Sequence, residues 1–173
     1  MRFSALVLAV LPLLAWAEPK VADRIVATVN LHAITRSALA ARLKPLGALD
    51  EQKKKELEKG TLNEMIEELL IADDAARLHL ETSDADVERA VQDVASQNKL
   101  SVEELWKAAK EQGFEKEEYR EMLRQKLTEL RWFQYRTASQ SRPDAGDIGQ
   151  WMAAQRDALI AKLKQDAVIE VRQ

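Results

Sequence analysis

TLNEMIEELLIADDAARLHLETSDADVERAVQDVASQNKLSVEELWKAAKEQGFEKEEYREMLRQKLTELRWFQYR, residues 61–136, is the stretch that decides the fold. Its apolar residues recur at helical spacing, and short polar breaks divide it into consecutive amphipathic helices. The first runs from Thr61 to about Leu80, with Leu62, Met65, Ile66, Leu69, Leu70, Ala76 and Leu80 on one stripe. Ser83 opens the next, with Asp86 three residues on as a capping pair and Val87, Ala90, Val91 and Val94 as its stripe. Ser101 and Glu104 form the S-x-x-E box of a third, short helix carrying Leu105, Trp106 and Ala109, and Gly113 suits its C′ position. The last runs from about Glu115 to Arg136 and lines up Tyr119, Leu123, Leu127 and Leu130.

Two positions in this block do not fit a plain amphipathic pattern. Asp73 falls within the first stripe. We read it as an edge carboxylate, or as one paired with Arg89, Arg120 or Arg124; the alternative is a polar group lining a groove. At 100° per residue, Trp132 points opposite to the Tyr119–Leu130 line, and Tyr135 also points away from it. The end of this helix must therefore touch two things. The second is either another part of the same chain or a partner held by an exposed apolar patch. His79 is expected in the last turn of its helix, where the dipole favours a cation.

Outward from the block, residues 50–60 (DEQKKKELEKG) form a solvated helix or a mobile linker that Gly60 closes. Upstream, Asp23 to Asn30 alternates as a strand, with Ile25, Ala27 and Val29 on one side and Val26 and Thr28 on the other. Asn30, Leu31 and His32 make a turn into a short strand at Ala33 and Ile34. Thr35 then caps a helix through Leu43, without the acid at Ala38 that a capping box would have, and Pro45 and Gly47 end it. Downstream, 137–146 (TASQSRPDAG) is a linker. Ile148, Met152, Leu159 and Leu163, flanked by Trp151, define one more helix, and Ala167 to Arg172 alternates as a strand. A lone hairpin is marginal in water, so this last strand is expected to join it as a third.

Composition bounds the function. The 173 residues contain no Cys, two His and a formal charge of −3. That near-neutral balance lacks the basic excess of a nucleic-acid binder. Arg2, the apolar run from Phe3 to Leu14 and the small residues of Ala15-Trp16-Ala17 read as a signal peptide, 1–17, cleaved between Ala17 and Glu18. The run is too short to span a bilayer, so no stable membrane insertion is expected after cleavage. Residues 18–173 are expected to form a single module: hairpin and helical core (18–136), linker (137–146), and closing helix and strand (147–173). His32 and His79 lack metal-ligand spacing, no phosphate loop occurs, and neither a catalytic residue, a metal nor a cofactor is indicated. Flexible and aromatic side chains remain as candidate polypeptide contacts: Met65, Trp106, Met122, Trp132, Tyr135, Trp151 and Met152.

The order of these elements resembles the SurA family of periplasmic chaperones. DRIVATVN, ITRS, IEELLIADDAARL, SDADVERAV, QNKLSVEEL and GFEKEEYREMLRQKL carry the resemblance to its N-terminal region, and WMAAQRDALI followed by AVIEVR resembles its closing helix and strand. It implies a mainly α module with a small antiparallel sheet made by the N-terminal hairpin and the C-terminal strand. It also implies an ATP-independent periplasmic holdase for unfolded outer-membrane or other exported polypeptides. Relatives usually carry parvulin-type isomerase domains where this chain has only 137–146, so no enzyme activity is expected. Leu31-His32 stands where relatives tend to have Asn-Gly or an acidic pair, and Ala38 replaces the usual capping acid. The alternative function is a non-catalytic interaction subunit, or a homodimer, burying a Trp132/Tyr135/Trp151 surface against one folded partner.

Overall fold

A computed structural model describes residues 23–44, 50–141, 143 and 147–172. The expected signal peptide with its Ala17/Glu18 cleavage, Pro45, Gly47 and parts of the linker lie outside them. Two strands, β1 (Ile25–Val29) and β2 (His32–Thr35), form the hairpin. Five helices follow: α1 (Arg36–Leu43), α2 (Glu51–Arg77), α3 (Asp84–Gln97), α4 (Val102–Glu111) and α5 (Lys116–Thr137). The closing elements are α6 (Ile148–Asp166) and β3 (Ile169–Val171). The chain is mainly α. None of these helices is long and apolar enough to cross a membrane.

The last strand does join the hairpin. The sheet order is β2-β1-β3, antiparallel throughout, with Val29 opposite Ile169 and Ala27 opposite Val171. The expected two-face alternation of β1 fails at one point. Pairing with β2 slips between Ile25 and Ala27, so Val26 is an extra residue, and Val26, Ala27 and Val29 are all buried. A one-residue bulge reverses the face of what precedes it, and strict period 2 cannot anticipate that.

Local chemistry explains the helix ends. Thr35 Oγ1 accepts from Ala38 N at 3.3 Å. No acid reaches back to the Thr35 N–H as a capping box would, but Asp23 satisfies a different first-turn donor, accepting from Ser37 N at 3.2 Å and from the Ser37 hydroxyl. Ser83/Asp86 and Ser101/Glu104 form complete capping boxes. Three helices end in the same Schellman hydrogen bonds, Leu80 N to Ala75 O, Leu100 N to Ala95 O and Phe114 N to Ala109 O. Their left-handed residues are His79, Lys99 and Gly113. His79 thus lies beyond α2, in its C′ position, and not in its last turn.

The charged run is the solvated helix of the two expected alternatives, but not a separate one. Asp50 caps it by accepting from Lys53 N at 2.9 Å, and it continues through Gly60 as the first turns of α2. Gly60 does not close it, because the stripe downstream recruits these turns into one helix. A Cβ at Gly60 would meet nothing within 4 Å. Gly60→Ala should therefore raise stability by about 0.5–1 kcal/mol, read as a later urea midpoint with unchanged slope.

Two apolar clusters result. The main one joins Val26, Ala27 and Val29 of β1 to Leu70 and Ile71 of α2, Trp132 of α5, and Ile160 and Leu163 of α6. The second lies among α3, α4 and α5, where Val87, Val91, Ala95 and Leu105 pack with Trp106, Tyr119 and Leu123. Helix α5 serves both. Its first half faces the second cluster through Tyr119 and Leu123, and its end faces the main cluster through Trp132. That is why its apolar residues point to opposed sides: the second thing it touches is its own chain.

Polar ties fix the elements around α2. Buried Asp74 accepts from Trp132 Nε1 at 2.7 Å and from Arg136 Nε at 2.8 Å, with Arg77 3.6 Å away. Asp73 accepts from Asn30 Nδ2 at 2.7 Å and lies 2.9 Å from His32 Nε2. It is paired, but with the hairpin. Arg89, Arg120 and Arg124 go instead to Asp86, Glu88 and Asp84. Arg156 bridges α6 to Glu129 (3.0 Å) and Glu67 (3.2 Å), and Lys164 Nζ reaches Glu67 at 2.9 Å. Burial pushes the Glu67 carboxyl up, but these cations together with Asn63 outweigh it and hold the group below its ordinary value.

Candidate polypeptide-binding grooves

Helix α5 stands between two concavities that share Lys126 and Glu129 at their border. The larger has a cavity volume of about 470 Å³. Its floor is α2, through Met65, Leu69 and Ala72. One wall is Ala33 and Ile34 of β2 with Ala38 of α1, and the other is the polar face of α5 around Gln125 and Thr128.

The basic side chains around this groove are each paired with an acid, while the Glu81 carboxylate has no ion-pair partner among the described residues. Arg42 meets Glu68, Arg124 lies 3.1 Å from Glu121 and 2.9 Å from Asp84, and Lys126 Nζ lies 3.4 Å from Glu129. An apolar floor with a rim whose cations are already paired has little to offer a phosphate or another anionic small molecule. It suits an uncharged ligand with side chains to bury and a backbone to satisfy.

The smaller concavity, about 270 Å³, lies between α5 and α6 over Leu130, Phe133, Met152 and Ala153. Leu130 and Met152 are 48% and 42% exposed. The Phe133 and Trp151 rings meet edge to face, 6.3 Å apart.

The expected contact residues scatter among these features. Met65 lines the larger groove and Met152 the smaller. Trp151 lines neither and is linked to the smaller one only through its ring contact with Phe133. Trp132 has no exposed surface: it reaches that groove only as part of its base and belongs to the main core. Its assignment as a surface contact is corrected, because the indole N–H is used by Asp74 and its faces are used by the core. Trp106 packs in the second cluster, 5.9 Å from the Tyr119 ring and with Lys116 Nζ 5.1 Å from its centroid. Tyr135 is 56% exposed and lines neither groove, nor does half-buried Met122.

Sequence reasoning missed Ala33, Ala38, Leu69 and Ala72 as groove residues. Leu69 was legible only as one more stripe residue. The alanines carried a faint signal, small side chains where neighbouring elements approach, but only the packing shows a gap there.

The profile of the SurA N-terminal domain family matches residues 22–131, which takes in the hairpin, α2 and most of α5, the parts that form the larger groove. The chain belongs to the SurA N-terminal domain family. Several SurA chaperones are similar to it. Chaperone SurA of Ralstonia nicotianae is 32% identical over 145 residues, covering 80% of this chain and 29% of the relative. Chaperone SurA of Alcanivorax borkumensis is 28% identical over 158 residues, covering 87% and 36%. Chaperone SurA of Chromobacterium violaceum is 33% identical over 142 residues, covering 79% and 33%. The chain thus spans about a third of the length of these SurA relatives.

Proposed function

We propose that this SurA-family chain is an ATP-independent holdase of the periplasm, which shields unfolded exported polypeptides, outer-membrane proteins among them, until they fold or are delivered. The observation that carries the proposal is the larger groove: an apolar floor of Met65, Leu69 and Ala72 beneath a rim whose basic side chains are each paired with an acid. Such a surface buries apolar side chains without demanding a particular charge, so many sequences fit it with modest affinity. Modest affinity means fast release, which a carrier needs. The similarity to named chaperones supports the same reading. Prolyl isomerisation forms no part of the proposal; α5 and α6 are joined through residues 138–147 alone.

Dilution of a denatured outer-membrane porin into buffer tests it by light scattering. The purified chain at several-fold molar excess should suppress scattering. Leu69→Asp, which places a charge on the groove floor, should remove most of that suppression, with circular dichroism verifying that the variant is folded. No suppression by the unaltered chain would overturn the reading.

A second reading rests on the apolar side chains left exposed on α5 and α6, some of them in the smaller concavity. Leu130, Tyr135, Ile148 and Met152 remain exposed on α5 and α6, and one folded partner or a second copy could cover them. Trp132 can take no part in it. A concentration-dependent mass in sedimentation equilibrium, abolished by Leu130→Glu, would favour this reading.

A further inference from the structure

One wall of the larger groove is a sheet edge. Among the described residues β2 pairs only with β1, so its outer side is unpartnered. Which backbone groups it presents follows from the other side of the sheet. Asn30 N donates to Val168 O at 2.8 Å, and Val26 O accepts from Arg172 N at 2.8 Å. Antiparallel ladders alternate, so Val26, Thr28 and Asn30 turn their backbone groups to β3, and Ala27 and Val29 turn theirs to β2. Their partners Ile34 and His32 are thereby satisfied. Ala33 is left with its N–H and C=O directed outward, and Thr35 with its N–H. Ala33 also lines the groove, beside the apolar floor on α2.

Resting on the holdase reading, we propose that the ligand is held by its main chain, as a fourth strand added to the outer edge of β2. The occupant is an extended polypeptide segment with alternating apolar and polar residues. Its backbone would complete the hydrogen bonds of Ala33 and Thr35. Its apolar side chains would point down onto Met65, Leu69 and Ala72, and its polar ones out to solvent, as the period of two in a strand requires. Main-chain bonding adds affinity that does not depend on side-chain identity. The rim fits this, since each of its basic side chains is already paired with an acid.

The outer edge of β3 also has free backbone groups, at Ile169 and Val171. Neither of the two grooves is lined by it, and Val168 and Val171 stand exposed there. An added strand at that edge would bury little, so the assignment is to β2.

The experiment is amide hydrogen exchange by NMR on the full chain with a capped peptide of about eight residues alternating Val and Thr. Strand addition is expected to slow exchange at Ala33 at least tenfold and to leave Ile34, already bonded to β1, unchanged. Ala33→Pro removes the outward N–H without removing a ladder bond, and should weaken peptide binding at least tenfold. If the peptide shifts the Leu69 methyl signals while Ala33 exchange stays as it was, strand addition is overturned and the groove reading stands. Protection at Ile169 and Val171 instead would overturn the assignment to β2. Absence of any peptide binding would overturn both the strand and the groove.

Discussion

Trp132→Ala should cost about 3–5 kcal/mol of folding stability, a large share of what a domain of this size possesses. The indole is the largest fully buried side chain in the described structure and sits where β1, α2, α5 and α6 converge. Truncation opens a cavity in that junction and leaves the Asp74 carboxylate without its indole donor. Trp132→Phe keeps most of the ring volume and loses the hydrogen bond, so its cost should be smaller, about 1–2 kcal/mol. Urea unfolding followed by circular dichroism measures both. Were Trp132 a ligand contact, the alanine variant would keep its urea midpoint and lose only holdase activity; that pattern would sink the core assignment.

Asp74→Ala is the second large effect, expected at about 3 kcal/mol. Its carboxylate is buried, yet it accepts from Trp132 and from two nitrogens of Arg136. Removing it strands a buried indole N–H and a guanidinium. Arg136 is about a third exposed and can turn partly to water, which places the cost at the low end of the range for broken buried pairs. Asp74→Asn should cost less, because an amide oxygen still accepts from the indole. The charge also makes stability depend on pH. Burial raises the Asp74 pKa, but the hydrogen bonds and charge of Arg136, the indole of Trp132 and the charge of Arg77 outweigh it, and the net pKa lies below the ordinary aspartate value. The unfolded chain therefore takes up this proton first. The stabilisation is present in full above about pH 4 and is lost as the pH falls through the lower folded value. Thermal unfolding of the parent between about pH 5 and pH 2 should show a falling midpoint, and Asp74→Asn should flatten that fall. Parallel curves would mean that the carboxylate contributes nothing through its charge.

Much of this fold is legible in the sequence because it is written locally. Ser83/Asp86, Ser101/Glu104 and Gly113 mark helix ends by chemistry confined to three or four residues, and the structure places them as expected. The third strand is legible for a different reason: a hairpin needs a partner, and AVIEVR is the alternating segment left over. Sequence and structure part where two segments have to be weighed together. Gly60 reads as a stop because glycine disfavours helix, but the helix around it is held by packing further along. The stripe draws attention to Asp73, whereas Asp74 is the buried carboxylate. Ile66, Leu70 and Asp74 lie on a single i, i+4 row, and so do Trp132 and Arg136. That pair of rows is a signal that could have found the contact.

The sequence by itself determined the helices, their caps, the hairpin with its closing strand, and membership of the SurA family through co-linear segments. These depend on periodicity and on hydrogen bonds between near neighbours, which any stretch carries with it. Only the tertiary structure decided which face of α5 meets which core, that Trp132 is buried while Leu130 and Met152 are not, and that β2 ends beside a groove floored by α2. A groove is a place where packing is left incomplete. Its existence depends on the distance between elements far apart in the chain, and no periodicity within any one of them encodes that distance.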